Sequence, residues 1–500
     1  MPPVFPVIAG AGQVVDRPAD LVQAREPLAL MEQAVRGALD DARAAPAVLA
    51  RADTLAVVAN VFHDYRDTAR LLAERLGCRP ARALLSTWGG NTPQSLLNHL
   101  CDEIAAGRSE LAILVGAEAA RSVRAAAKAG VTLPWTPPAT AAVPRWGDAR
   151  DGTHPVEHAH GARQPTVTFA LVENAWRAAR GQTIAAQRDE IGAFAARCTA
   201  VAAGNSYAWF PQVRTARDLM TIDADNRMIA FPYPKRVNAI LDVNQGAALL
   251  LASDDAARRL GLRRDGLVYP QVGADVHETW FLLKRPDLHA LPGLRHAARA
   301  VLETAGLAID DVRYLDLYSC FPVAPRLVAA TLGLPPDTAR PLTVTGGLPW
   351  FGGPGNNYAT HAIAAMVDRL RSDPAATGLV HALGWNLTKH ALAVYASTPP
   401  AHGWRRAGAA AQSMVDASPQ KRLATEPAGA ATVETYTVVH GRDGLPESGV
   451  VVGRLSDGAR FIARLPPDHE LLRSFEQEEG VGRRGRVEAR DDGNVFEPAG

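Results

Sequence analysis

The chain has 500 residues and a mass of 53.1 kDa, which at about 100–200 residues per domain gives two to four packing units. Fifty-three Lys and Arg oppose 52 Asp and Glu for a net charge of +1, so neither a basic nucleic-acid face nor a long charged tail is indicated. Hydrophobic residues at 47% suffice for buried cores and exclude extended disorder.

Short apolar runs at 6–11, 54–60, 82–87 and 110–117 read as strands, and amphipathic stretches at 27–44, 66–78 and 92–107 read as helices. This alternation is the pattern of α/β layers. The third helix is bounded by Thr92 as a cap, Pro93 in its first turn and Gly107 as a stop, each suited to that place by its backbone chemistry. Residues 120–240 break the alternation with Pro134, Pro137, Pro138, Pro144 and Pro155, followed by helical stretches at 166–180 and 184–203. They read as an insertion between strands, and the buried strand VNQGAALLLAS at 243–253 closes it.

A second pass follows, with strands at 267–272, 312–318, 378–382 and 391–397 and helices at 291–305 and 356–371. Each pass has a Gly/Asn turn feeding a helix: Gly89-Gly90-Asn91 in the first, Gly352-Gly353-Pro354-Gly355-Asn356 in the second. Each then has an apolar strand ending in Gly, LAILVG and LVHALG. An internal duplication is expected. The division is therefore an N-terminal half over 1–260 with its insertion at about 120–240, a C-terminal half over 261–398, and a linker over 399–429 that loses the apolar pattern. The last unit, 430–500, carries an alternating strand at 432–439 and a hairpin across 450–465 turning at Asp457-Gly458. A helix at 467–479 and a strand at 486–490 complete it, and a small barrel of the OB type fits that order.

Several motifs have plain readings. Gly10-Ala11-Gly12 follows a strand, but Val15 stands at the third glycine position and no helix starts before about residue 27, so a dinucleotide phosphate would have no helix N-terminus. The five glycines of 346–357 lack the Lys-Ser/Thr of a phosphate loop; they let backbone amides approach a ligand or a neighbouring turn. His154, His158 and His160 flank Glu157, and anchoring a loop is the favoured reading over a metal site. Cys78, Cys101, Cys198 and Cys320 share no CxxC or zinc spacing, as in a reducing compartment. Apolar runs at 111–116 and 247–252 are too short to cross a membrane, and MPPVFPVIAG has no basic leader segment. A soluble cytoplasmic protein is expected, with no metal. Tyr318 and Cys320 end the apolar run RYLDLYSCF. They would lie at a strand's C-terminal end, where α/β proteins place ligands, and two apart on a strand they would share a face.

These pieces together resemble the thiolase superfamily. GGNTPQSLLNHLCDEIAAGRSELAILVGAEA is similar to the nucleophile helix and following strand of thiolases, and YSCF to the HDCF box of sterol-carrier-protein-2-type thiolases. GGLPWFGGPGNN resembles their Gly-rich GHP loop, LVHALGWNLTKHALAVY their closing hairpin, and VNQGAALLLAS their DGAAA strand. The match spans roughly residues 5–397, and the last unit looks like the additional domain of type-1 thiolase-like proteins.

The resemblance implies an α/β fold of two duplicated halves in an αβαβα arrangement, a loop domain over a coenzyme A pocket, and a homodimer formed through the N-half sheet. It implies an acyl-CoA thioester as substrate, no other cofactor, and a place in lipid metabolism. Coenzyme A or substrate positions would be Gly90, Asn91, Gly353, Asn356, His381 and Gly384, and catalytic positions Tyr318 and Cys320. The chain departs from the family pattern in three places. Gly90 occupies the nucleophile slot, Gly353 replaces the GHP histidine, and Tyr318 replaces the first residue of HDCF. Three activities stay open: retro-aldol cleavage of a β-hydroxyacyl-CoA, with Tyr318 taking the hydroxyl proton if its phenol pKa is lowered from about 10; conventional acetyl-CoA acetyl transfer; and acyl-CoA binding as a non-catalytic scaffold.

Overall fold

Strand β1 (Pro6–Val15) is buried along most of its length and packs against the helix Pro27–Asp41. A Cβ at Gly10 or Gly12 would come within 2.0 or 2.1 Å of the Ala38 or Ala34 carbonyl of that helix. The two glycines thus serve helix–strand contact, with no phosphate to cradle. The chain continues through β2 (Thr54–Val57), β3 (Arg82–Leu85) and β4 (Leu111–Ala119). An insertion then carries the helices Pro165–Ala179 and Ile184–Ala203 and the short strands β5 (Met228–Ala230) and β6 (Tyr233–Pro234). Strand β7 (Asn244–Ser253) closes the first half, whose sheet runs β1-β7-β4-β2-β3. The computed structural model describes residues 4–499.

The second half repeats the plan with β8 (Tyr269–His277), β9 (Tyr314–Leu317), β10 (Thr377–Gly384) and β11 (Lys389–Ala396). Its sheet runs β12-β8-β11-β10-β9, so β8-β11-β10-β9 repeats β1-β7-β4-β2. The edge strand β12 (Arg405–Ala407) and the helix Ala409–Asp416 lie in the stretch read as linker and pack on β8. The strand is the three residues RRA and the helix AAAQSMVD buries only Ala411 and Val415, so neither carries a long apolar stripe.

The helices Thr92–Ala105 and Tyr358–Ser372 touch each other and strands of both sheets. Leu96, Leu97, Leu100, Cys101 and Ile104 are fully enclosed, and each such large apolar side chain contributes about 1.5–3 kcal/mol on burial. The polar residues of this central helix are paired: Gln94 Nε2 donates to Asn98 Oδ1 at 2.9 Å, and Asn98 Nδ2 donates to Asp275 Oδ2 at 2.8 Å. The outcome is two five-stranded sheets around two central helices, the layered α/β arrangement expected from the sequence.

The last unit is a closed barrel of β13 (Gly429–His440), β14 (Pro446–Leu455), β15 (Arg460–Arg464), β16 (Arg484–Arg490) and β17 (Gly493–Pro498). Its order β13-β14-β15-β17-β16 returns to β13, with the helix His469–Gln477 between β15 and β16, the connectivity of an OB barrel. The barrel is bonded to the body. Asn174 Nδ2 donates to the Tyr436 carbonyl at 2.8 Å, Arg177 grips Glu479 with both guanidinium nitrogens, and the enclosed Arg460 donates to the carbonyls of Leu283 and Arg285. His160 joins in, because its Nε2 accepts from Asn494 N at 2.8 Å. Among the described residues no helix is long and apolar enough to cross a membrane.

Candidate functional site

A cavity of about 660 Å³ opens where the two halves and the insertion meet. One wall is the turn before the first central helix, contributing Trp88, Gly89 and Gly90. The facing wall is the loop after β9, with Tyr318, Cys320 and Phe321, and the hairpin after β10, with Leu383, Trp385 and Asn386. Phe169, on the first long helix of the insertion, lies against Phe321 with ring centroids 4.6 Å apart. The lining is mainly apolar and its volume suits a drug-sized or larger acyl ligand.

The closest relation in the cavity is between Gly90 and Tyr318. A Cβ built on Gly90 would lie 2.2 Å from the Tyr318 hydroxyl and 2.6 Å from the Leu383 carbonyl oxygen. The phenol therefore fills the space in which any side chain at position 90 would begin. Glycine at one position and tyrosine at the other are a single feature, contributed by residues 228 apart. Burial raises the Tyr318 phenol well above its ordinary pKa, with the neighbouring Cys320 adding to the effect, and burial likewise raises the Cys320 thiol. Both groups rest neutral. A lowered phenol pKa, the condition for Tyr318 to take up a proton as a free phenolate, is not met, because desolvation dominates.

Tyr318 and Cys320 share the cavity as expected, although β9 ends at Leu317 and both lie in the loop beyond it. Gly90 and Asn356 also line the cavity. Asn356 spends its side chain on the scaffold: its Oδ1 accepts from Gly89 N and its Nδ2 donates to the Ala59 carbonyl, both at 2.9 Å. The other four positions lie outside the lining. Asn91 borders a second cavity of about 300 Å³ behind the turn, with its Nδ2 on Ser95 Oγ at 3.1 Å. Gly384 packs on Asn91, where a Cβ would come within 2.1 Å of Oδ1. Gly353 N donates to the Ile240 carbonyl at 2.8 Å. His381 points away into the core, its Nε2 paired with His390 Nδ1 at 2.9 Å, and burial pushes its pKa down to about 3. It is buried and uncharged, and lies outside the cavity lining.

Sequence reasoning missed Trp385, Asn386 and Lys389. Trp385 is held at φ +58° in the hairpin after β10, a conformation costly for a bulky residue and typical of ligand clamps. Its ring lies over Gly152, whose Cβ would come within 2.3 Å of it. The signal was present in the sequence ALGWN, where a polar-aromatic pair follows a strand-ending glycine. Among backbone groups, the Gly90 N–H finds no acceptor among the described residues, while Gly89 O is held by Thr92 N at 3.0 Å and Thr92 Oγ1 at 2.8 Å. The turn thus presents a free amide donor at the start of a helix, where the backbone dipoles favour negative charge.

Residues 411–494 match the family model described as the thiolase-like protein type 1 additional C-terminal domain. A monomeric SCP2-thiolase-like protein type 1 from Mycobacterium smegmatis is 33% identical, with 99% of each chain covered and a TM-score of 0.85. The Ltp2-ChsH2(DUF35) aldolase, at 17% identity, covers 79% of this chain and 98% of its own with a TM-score of 0.58. Human mitochondrial 3-ketoacyl-CoA thiolase in complex with CoA, at 15% identity, covers 79% and 98% with a TM-score of 0.57. No curated protein matches the chain significantly. The chain belongs to the SCP2-thiolase-like proteins of type 1, within the thiolase superfamily.

Proposed function

We propose that this protein binds an acyl-CoA thioester in the 660 Å³ cavity and cleaves a β-hydroxyacyl-CoA by a retro-aldol reaction, with no acyl-enzyme intermediate. The observation that carries this reading is the Tyr318 hydroxyl, 2.2 Å from the place of a Gly90 Cβ. In the reaction the bond between the α and β carbons breaks and its electrons form the thioester enolate. The β-hydroxyl becomes a carbonyl and gives up its proton. Tyr318 passes its own proton to the α carbon and receives the hydroxyl proton, so the phenol begins and ends neutral. That shuttle suits a phenol whose pKa is raised. The free Gly90 N–H supports the enolate oxygen.

Acetyl transfer through a covalent cysteine has less support, since the slot before the helix is closed by Tyr318 and the Cys320 thiol is held protonated. The chain is proposed to act as a monomer. Thiolase dimers form through the N-half sheet, and here the C-terminal end of the β3 edge is capped: Trp146 N donates to the Leu85 carbonyl at 2.7 Å, and Thr87 N to the Trp146 carbonyl at 2.8 Å. Sedimentation analysis should give the mass of one chain.

The test is a panel of β-hydroxyacyl-CoA and acyl-CoA thioesters analysed by mass spectrometry. Retro-aldol products, a shorter acyl-CoA and a carbonyl compound, are expected from the hydroxylated members. Transfer of acyl groups to free thiols, without carbon–carbon cleavage, would overturn the reading.

A further inference from the structure

Behind the Gly89–Gly90 turn, on the side away from the main cavity, stands Lys389, the first residue of β11. It is 6% exposed. Its Nζ donates to the Trp88 carbonyl at 2.9 Å. The same peptide group is held from its other side, where Gly89 N donates to Asn356 Oδ1 at 2.9 Å. The turn is packed onto the lysine stem: a Cβ at Gly89 would lie 3.0 Å from Nζ, and one at Gly384 would lie 3.0 Å from Cε.

A buried ammonium is costly unless paired, and Lys389 has no carboxylate within hydrogen-bonding distance among the described residues. The acid nearest in effect, Asp148, is engaged by Arg150 at 2.6 Å. Arg150 is also the cation that opposes Lys389 from the insertion. The other charged or titratable groups around the second cavity are His99 and Asp102 on the central helix, Asp275 and His277 on β8, His390 on β11, and Arg406 on β12. Asp275 is already bonded to Asn98 and Arg406, each at 2.8 Å. The lysine charge therefore meets two neutral groups: the Trp88 carbonyl, by a hydrogen bond, and the Trp385 ring, whose centroid is 6.0 Å from Nζ.

We propose that Lys389 is a positioning residue for anion binding: its ammonium fixes the Trp88–Gly89 peptide so that the Gly90 N–H faces the main cavity, and it places a positive charge behind that amide. The inference rests on the thioester reading above and adds a residue to it. Lys389 does not itself line the main cavity; it acts through Trp88 and Gly89, which do. Burial lowers its pKa to about 8, so it carries its charge at neutral pH.

The experiment compares wild type with Lys389→Met by two readouts. The first is amide hydrogen exchange of residues 86–91 in the ligand-free protein, with the helix Tyr358–Ser372 as internal reference. Loss of a charge-assisted hydrogen bond should speed exchange in the turn by about tenfold and leave the reference unchanged. The second is the near-ultraviolet absorbance of the enolate form of bound acetoacetyl-CoA. Its fraction should fall about tenfold, while affinity for acetyl-CoA changes less than about twofold. Unchanged exchange in the turn, or an unchanged enolate fraction, overturns the proposal. If wild type binds neither thioester, the thioester reading fails and the exchange measurement alone decides the positioning role. If Lys389→Met does not fold, Lys389→Gln is measured in the same two ways, with the same results overturning the proposal.

Discussion

The two halves each bring a glycine- and asparagine-rich turn to the N-terminus of a central helix, and the two turns have taken opposite tasks. The first, Gly89–Gly90–Asn91, borders the cavity and leaves the Gly90 N–H without an acceptor among the described residues. The second spends its polar groups on its neighbours. Asn356 bonds Gly89 N and the Ala59 carbonyl, Asn357 Nδ2 donates to the Gly116 carbonyl at 2.6 Å, and Gly353 N donates to Ile240 O. Their ionisable neighbours differ in the same sense. A buried cation, Lys389, stands behind the first turn. A buried acid, Glu118, lies under the second, accepting from Val61 N at 2.5 Å, and a Cβ at Gly355 would come within 2.5 Å of its carboxyl. A duplicated fold offers two helix N-termini; here one is presented to the ligand and the other braces it.

The largest effect should come from the group that faces the presenting turn. Tyr318→Phe keeps the ring and removes only the oxygen, and should lower turnover of a cleaved β-hydroxyacyl-CoA by about 10²–10⁴. Steady-state kinetics check it, with Cys320→Ala as the comparison expected to lose much less. Full turnover by Tyr318→Phe would return the chemistry to Cys320.

A pH series separates the two ionisable neighbours. Burial raises Glu118 to about 8, above its value of about 4.3 in the unfolded chain. The native state therefore holds a proton that the unfolded state has released, and stability should decline as pH rises between those values, then level off. Lys389, lowered to about 8, works the other way: stability should rise between pH 8 and about 10.4, where only the unfolded chain keeps the proton. Glu118→Gln should flatten the decline, a change of a few kcal/mol by denaturant titration at about pH 5 against pH 8. An unaltered slope would mean that Glu118 is ionised at neutral pH.

Gly90→Ala tests the closed slot without any substrate. Its Cβ would meet the Tyr318 hydroxyl and the Leu383 carbonyl, and overpacking of this kind costs about 1–3 kcal/mol. The cost should shrink in a Tyr318→Ala background, with a coupling above about 0.5 kcal/mol in a double-mutant cycle. Additive effects would mean that the two residues do not share the space.

Much of this was legible in the sequence. Period and punctuation mark both halves, the insertion helices and the barrel hairpin, because each is a local pattern of burial. Gly90 before the first central helix was legible too, as a departure from the pattern that the resemblance implies. Its reason was not, since Tyr318 reaches that space only when the halves meet. His381 was expected at the ligand and lies outside the cavity lining, paired with His390, a contact between strands that sequence alone does not show. Strands β5, β6, β12 and β17 were missed. Three are only two or three residues long, and their pairing, not their composition, makes them strands.

The smallest expected effect decides whether the second turn braces or presents. Asn356 is buried and forms two bonds at 2.9 Å to main-chain groups. Asn356→Ala leaves Gly89 N and Ala59 O without these partners, and at about 0.5–1.5 kcal/mol for each bond the loss should be about 1–3 kcal/mol. Asn356→Asp should cost no less, since a carboxylate can still accept from Gly89 N but has no proton for the Ala59 carbonyl and sets one oxygen against another. Thermal unfolding reads both variants. Hydrogen exchange should then rise at Gly89, whose amide loses its acceptor, before it rises elsewhere in the first central helix. A bracing role predicts lost stability with thioester affinity falling only in step with the loosened turn. Normal stability with strongly weakened acyl-CoA binding would show instead that Asn356 meets the ligand directly, and that both turns present.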